Sequence, residues 1–491
     1  MYLKLDRRSR EPLFAQIRDQ IRDLVSQGAL PPGVRLPPTR DLADSLGVSR
    51  AVVVQAYDEL AALGTIESSV GRGSFVAPAR AGVGPLPAAR RAPDWSALLS
   101  DGMLKVNRLL SARRVSASSG GGRTVTDFAS LCPHIDEESS QRFRHSLNWA
   151  YSIEGRRVLE YGDPQGYRPL RALIAREMSE VGVPTERDGV IVTSGSQQAV
   201  NLVAMTLLNP GDAVVIQNPT YPPSASRLAH TGAEILPVGV EGDGFDLEAA
   251  RAIVSSRRVK LMYLMPTCHN PTGLTMSYET RRRIISLARE HNCAVAEDGF
   301  SDALAYPGHL IPPMSALDSE GRTLYMGSLS KILFPGIRLG WIAACPELVN
   351  SLVNAKRISD LDTSLVLQVA AYDFWNRGYL DQNVRRMRTV YFKRREAVLE
   401  AVEEYFPAGT TCTGTRGGLF VWVRVPGVAD TESLLPAARA RGVEFAPGAR
   451  FDIAGGSRDC MRLSFSSVPL EEIRPGIRAL AEVIRDASGM G

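Results

Sequence analysis

Lys331 closes the run Gly327-Ser328-Leu329-Ser330-Lys331 and is followed by Pro335-Gly336-Ile337-Arg338-Leu339-Gly340-Trp341, so an amine stands between hydroxyls and a guanidinium. Upstream, in order, lie Thr193-Ser194-Gly195-Ser196-Gln197-Gln198-Ala199, the rigid turn Thr267-Cys268-His269-Asn270-Pro271-Thr272-Gly273, and the acidic pair Glu297-Asp298. Each has an ordinary reading when taken alone: a surface lysine, a well-capped helix, a turn. Small residues opening a helix also leave backbone N–H groups free to cradle a phosphate. Taken together they meet the demands of pyridoxal phosphate. That cofactor needs a lysine for its aldimine, a carboxylate to keep the pyridine nitrogen protonated, and cations and hydroxyls for its phosphate.

The clusters follow short apolar runs, Val190-Ile191-Val192, Ala213-Val214-Val215-Ile216, Leu261-Met262-Tyr263-Leu264 and Ala294-Val295-Ala296, separated by helical stretches. This alternation predicts an α/β fold with a mostly parallel sheet covered on both faces. Function is then expected in the loops beyond the carboxyl ends of the strands.

A chain of 491 residues predicts two or three units. No apolar stretch is long enough to span a bilayer, and the first residues hold no apolar signal core. The six cysteines show no C-x-x-C spacing, so reduced thiols, no metal site and a cytoplasmic location are expected. The net charge of +4 divides into +1 over residues 1–78, +6 over 79–123 and −3 over the remainder. The middle segment is also rich in Pro, Gly, Ala and Ser, and reads as a flexible linker. It is either a basic tether that contacts phosphates or simply a solvated connection. Within it, Trp95 to Leu110 has the spacing of a short helix that docks on a neighbour.

Before the linker, Leu13, Ile17, Ile21, Leu24 and Val25 repeat with a helical period between Pro12 and Gly28. Thr39 is expected to cap a second helix ending at Gly47, and Ser49 a third running to about Leu63. Alternating residues on either side of Gly71-Arg72-Gly73 then predict a hairpin, completing a winged helix-turn-helix. On the third helix Val53, Tyr57 and Leu60 share one face, while Arg50, Ala51, Val52 and Gln55 face away. Residues Ser49, Arg50, Val52 and Gln55 are therefore candidates for base contacts, and Arg40 and Arg72 for phosphates or the minor groove. By pattern alone, a three-helix interaction module stays open.

The runs Leu36-Pro37-Pro38-Thr39-Arg40-Asp41-Leu42-Ala43, Leu46-Gly47-Val48-Ser49-Arg50 and Gly71-Arg72-Gly73-Ser74-Phe75-Val76 resemble the GntR-type DNA-binding domain, with Val52 where relatives usually carry Thr. Residues 124–491 resemble a fold-type I aminotransferase, which implies a large α/β part and a smaller C-terminal α+β subdomain. That resemblance implies Lys331 as the internal-aldimine lysine, Asp298 on the pyridinium, Asn270 on the ring hydroxyl and Tyr221 stacked on the ring. Ser196, Gln197, Ser328, Ser330 and Arg338 would hold the phosphate. Tyr161 would reach the phosphate of the other subunit, and Arg462 would grip a substrate carboxylate.

Relatives carry Tyr two positions after the pyridine-binding Asp, where this chain has Phe300. Loss of that donor implies persistent cofactor binding with poor turnover, and Tyr306 is not spaced to replace it. A reader over residues 10–78, a linker over 79–123 and an aminotransferase-like part over 124–491 together resemble the MocR subfamily. The resemblance implies a homodimer, domain-swapped and head-to-tail. It also implies an operator of double-stranded DNA and an effector that is an amino compound or pyridoxal phosphate itself. A working aminotransferase with a DNA-binding appendage is the alternative.

Overall fold

The computed structural model describes residues 3–7, 9, 11–69, 73–78, 95–111, 125–240, 242–308, 310–413 and 416–488. Arg72, and most of the 79–123 segment, lie outside the described residues. The chain forms two compact units, Met1–Leu98 and Leu99–Gly491.

In the first unit, helices α1 (Leu13–Ser26), α2 (Thr39–Leu46) and α3 (Arg50–Ala62) precede strands β1 (Ile66–Ser69) and β2 (Gly73–Val76), followed by the short α4 (Trp95–Leu98). β1 and β2 pair antiparallel, with Ile66 opposite Val76. Ile17, Ile21, Val53, Ala56 and Leu60 are fully buried, and the Tyr57 hydroxyl donates to the Pro37 carbonyl at 2.9 Å. This anchors α3 by one face.

Two expected caps are corrected. Thr39 is the first residue of α2, and Pro38 occupies the cap position. Ser49 does precede α3, yet its side chain makes no capping bond. Arg40, Ser49, Arg50 and Gln55 are exposed. Val52, expected on the free face, is half-buried and packs against the core instead. Its place one residue before Val53 puts it at the edge of the buried stripe.

The second unit opens with α5 (Asp101–Ser111) and β3 (Thr126–Asp127), then α6 (Glu137–Glu154) and α7 (Arg168–Glu180). Strand and helix then alternate: β4 (Val190–Thr193), α8 (Ser196–Leu207), β5 (Ala213–Asn218), α9 (Pro222–His230), β6 (Glu234–Gly239), α10 (Leu247–Ser256), β7 (Val259–Leu264) and α11 (Tyr278–Glu290). Next come β8 (Ala294–Asp298), α12 (Met314–Leu317), β9 (Thr323–Ser328) and β10 (Gly340–Ala343). Three helices follow: α13 (Pro346–Asp360), α14 (Leu365–Asn376) and the long α15 (Tyr379–Tyr405). The chain ends with β11 (Thr411–Cys412), β12 (Phe420–Arg424), α16 (Leu435–Ala440), β13 (Val443–Glu444), β14 (Ala446–Pro447), β15 (Cys460–Ser464) and α17 (Leu470–Ser488).

Seven strands form one sheet in the order β4-β10-β9-β8-β7-β5-β6. All neighbours are parallel except β10, which runs antiparallel to both β4 and β9. Every residue of β4, β9 and β10 is buried. That matches their near-continuous apolar sequence, since a sheet covered on both faces has no polar side. A smaller antiparallel sheet, β11-β12-β15-β14, forms the C-terminal part. Parallel pairing of β3 with β13 ties the start of this unit to that part.

Of the patch expected to dock, Asp101–Ser111 does so as α5, whereas the apolar residues that suggested it, Trp95, Leu98, Leu99 and Met103, stay exposed. A Cβ on Gly102 would lie 2.4 Å from the His230 carbonyl, so only glycine permits this approach of α5 to the end of α9. The Lys105 ammonium donates to the Gly232 carbonyl at 3.3 Å.

Candidate functional site

At the carboxyl ends of the strands lies a cavity of about 450 Å³. Its walls include Lys331, Asp298, Asn270, Tyr221, Ser196, Gln197, Ser328, Ser330, Arg338 and Arg462. Tyr161 is not among them and stands 85% exposed on the surface.

Lys331 follows β9, and its amine donates to the Leu131 carbonyl at 2.7 Å. Burial pushes this amine down to about 8, with Arg462 and Arg338 adding to the effect against Cys132. A lysine that loses its proton near neutrality is a competent nucleophile toward an aldehyde.

Asp298 ends β8 and is 3% exposed. Burial pushes its carboxyl up to about 6, although the Tyr263 hydroxyl and the Phe300 backbone N–H both donate to it. A protonated ring nitrogen beside this group would restore its charge and retain the nitrogen's proton.

The phosphate end is built from two turns. Ser196 and Gln197 open α8 after Gly195, whose φ of +89° lies in the left-handed region. A Cβ on Gly195 would sit 2.6 Å from Arg338 Nη2, so glycine lets this guanidinium close over the turn. Arg338 donates to the Ser330 hydroxyl at 3.2 Å and to the Ser194 carbonyl at 3.1 Å. A helix N-terminus, hydroxyls and a guanidinium make an anion cradle.

Arg462 lies in β15 at the opposite end. It is 5% exposed and stacks between the rings of Phe420 and Phe451, at 5.3 and 4.8 Å from their centroids. It donates to Asn270 Oδ1 at 2.9 Å and to the Ala129 carbonyl at 2.8 Å. Burial lowers its guanidinium to about 10. Among the described residues its Nε has no partner, and no carboxylate stands within ion-pair distance of it. A buried cation left without an anion is a receptor for one.

Some members of the site were not legible beforehand. Tyr263 sits inside an apolar strand and reads there as core, yet its hydroxyl donates to Asp298 and bonds Ser224 Oγ at 2.9 Å. Arg227 of α9 donates to the Gln197 carbonyl at 2.9 Å and so braces the phosphate turn. Leu110 of α5 lines the cavity, as does Phe300. Tyr306 does not: its ring packs on Phe392 and under Arg395.

The donor set fits pyridoxal phosphate: the anion cradle suits its phosphate and the buried Asp298 its ring nitrogen, while among the described residues Gln197 Oε1 and Arg462 Nε have no partner. When bound, that cofactor supplies an aldehyde and an electron-withdrawing ring. No group of three or more metal-type side chains occurs among the described residues, and no helix there is long and apolar enough to cross a membrane.

A DNA reader on an aminotransferase-type sheet defines a class of DNA-binding regulators with a cofactor-binding body. Residues 13–76 match the bacterial regulatory proteins of the gntR family, and residues 131–480 match aminotransferase class I and II. The probable rhizopine catabolism regulatory protein MocR of Rhizobium meliloti is 30% identical over 486 residues, covering 97% of this chain and 95% of that protein. Aromatic-amino-acid aminotransferase 1 of Thermococcus litoralis is 37% identical over 335 residues, 67% of this chain and 80% of that protein. The crystal structure of the multiple substrate aminotransferase of Thermococcus profundus superposes with a TM-score of 0.73 at 32% identity, covering 81% of this chain and all of that one. The chain belongs to the MocR-type regulators of the GntR family, and the cofactor of its aminotransferase fold is pyridoxal 5′-phosphate.

Proposed function

We propose that this regulator senses an amino compound, or pyridoxal phosphate itself, through aldimine chemistry at Lys331, and converts its occupancy into a change in DNA binding. The observation that carries the reading is Leu110. It belongs to α5, in the segment that follows the reader, and lines the same cavity as Lys331. A ligand in that cavity therefore meets the segment that continues into the reader. It acts by binding one arrangement better than the other.

In this reading residues 10–78 read DNA, residues 79–123 link, and residues 124–491 bind the effector and dimerise. Arg462 takes the effector carboxylate. Asp298, Asn270 and Tyr221 hold the ring, and Ser196, Gln197, Ser328, Ser330 and Arg338 hold the phosphate. Tyr161 serves the cofactor phosphate of the second subunit in a head-to-tail, domain-swapped homodimer, for which its exposure on this chain is the support. Ser49, Arg50 and Gln55 reach base edges of a double-stranded operator in the cytoplasm, and Arg40 and Arg72 reach the backbone.

The test measures affinity for a duplex selected from a random pool, by fluorescence anisotropy at several salt concentrations. Arg50→Ala should weaken binding and relax sequence preference, and Arg72→Ala should weaken binding and lower the salt slope by about 1. Unchanged affinity and slope in both would overturn the DNA-reading assignment. Rapid conversion of the cofactor to its pyridoxamine form by common amino acids would favour the alternative, a working aminotransferase carrying a DNA-binding appendage. Phe300 supports regulation over turnover.

A further inference from the structure

A second cavity, of about 690 Å³, lies behind the wall of the cofactor pocket. It sits between α7, the loop after β8 and the junction of α14 with α15, and none of the motifs of the cofactor site accounts for it. Phe300 and Ser328 line both cavities.

Its chemistry differs from that of the first. Two indoles, Trp341 and Trp375, meet there with ring centroids 5.9 Å apart and planes tilted by 47°. Its lining carries the carboxylates of Glu177, Glu180, Asp302 and Asp381 and the guanidiniums of Arg385 and Arg388; Glu177 is paired with Arg176 at 2.9 Å, and the buried Arg281 acts on Asp302, so Glu180 and Asp381 supply the remaining negative charge. Arg388 is already engaged through its Nε with the Ala303 carbonyl at 2.9 Å. Asp302 receives the Tyr325 hydroxyl at 3.1 Å on one oxygen. Its other oxygen has no partner among the described residues, and neither indole N–H of this pair has one. Burial raises the Asp302 carboxyl above its ordinary range even though Arg281, Tyr325 and Thr267 act to hold it down, so a further cation at its cavity side lowers the remaining cost. Aromatic faces combined with carboxylates are the recognition chemistry of an organic cation. The volume falls in the range of small-ligand sites.

We propose that this cavity is a second ligand site, for a small organic cation with an apolar body, and that its occupant acts on the cofactor pocket through Phe300 and Ser328. This goes beyond the sensing proposed at Lys331 and does not depend on it, because the ligand needs no amine able to react with a cofactor.

The probe is therefore benzyltrimethylammonium, a quaternary cation that cannot form an imine at Lys331. Calorimetric titration of the full-length, cofactor-loaded chain should show saturable binding of one probe per chain, with a shift of the visible cofactor band over the same concentration range. Asp302→Asn should weaken binding by about tenfold, and the solvent-facing pair Glu177→Gln/Glu180→Gln by about threefold, the scale expected for a partly desolvated cation contact. The surface pair keeps the test decisive if Asp302→Asn folds poorly. Absence of saturable heat overturns the proposal. So does binding that survives both sets of substitutions, binding abolished by Arg462→Met instead, or tighter binding of benzoate than of the cation.

Discussion

Replacing Arg462 by Met keeps the length and the apolar stem between Phe420 and Phe451 while removing the charge. Hydrogen bonds to a charged group are worth about 1.5–3 kcal/mol each, so a two-pronged grip on a carboxylate is worth about 3–6 kcal/mol in full. The ligand does not gain all of this. Arg462 already donates to Asn270 at 2.9 Å and to Ala129 at 2.8 Å, so a carboxylate partly exchanges bonds that exist. Taking half leaves about 1.5–3 kcal/mol, which is about tenfold to a hundredfold in affinity. The assay titrates the cofactor-loaded chain with the α-amino acid that most perturbs the visible cofactor band in a spectral screen, and with the matching amine lacking the carboxylate. Arg462→Met should raise half-saturation for the acid about tenfold to a hundredfold and leave that for the amine within about threefold. Equal losses for both would mean that Arg462 only supports the pocket. No loss for the acid would refute the assignment outright.

Lys331 should capture pyridoxal phosphate at a rate that rises with pH up to about 8 and then levels off, because burial has lowered its amine to about 8. A rate that climbs on toward about 10, as for an ordinary lysine, would contradict this. Asp298→Asn should move two properties in opposite directions. Its carboxyl is raised from 3.8 to about 6, so the cost of its charge is absent below about 4, builds as pH rises between about 4 and 6, and is complete above 6. The cofactor-free Asn variant should therefore match the parent near pH 4 and be more stable at pH 8, by at most about 3 kcal/mol in denaturant unfolding, while binding the cofactor more weakly. Phe300→Tyr should add a donor in the pocket and speed conversion to the pyridoxamine form by about tenfold or more. An unchanged rate would show that Phe300 is not what limits turnover.

The cofactor motifs were legible because each of them ends an apolar strand with residues that have no structural reason to cluster there. Lys331, Asp298, Asn270 and Arg338 come together as the alternation of strand and helix implied. What escaped depends on packing across distant segments. Tyr263 looks like one more apolar strand residue until β8 is set beside β7, which brings its hydroxyl to Asp298. The reversed direction of β10 follows from the short connection after Lys331, which no periodicity encodes. Leu110 lies at the end of the patch expected to dock, yet the contact is made by Gly102 and Lys105 rather than by the exposed Trp95, Leu98, Leu99 and Met103 whose spacing suggested it, and the cofactor pocket as its destination shows only in the structure. In the reader, Val52 was assigned to the free face by counting, and a single step along a helix moves a side chain by a large angle. The cap misread at Thr39 has a similar cause, since Pro38 already supplies a compatible start.

In the proposed function, occupancy at Lys331 is transmitted to the reader. The most direct measurement compares the parent chain with Lys331→Ala in fluorescence-anisotropy titrations of the selected duplex, with pyridoxal phosphate present and with or without the amino compound that best shifts the cofactor band. The parent's DNA affinity should change with the amino compound. Lys331→Ala should lose both the band and the response while keeping the parent's basal affinity. A response that persists in Lys331→Ala, or a basal DNA affinity lost with the lysine, would contradict that transmission.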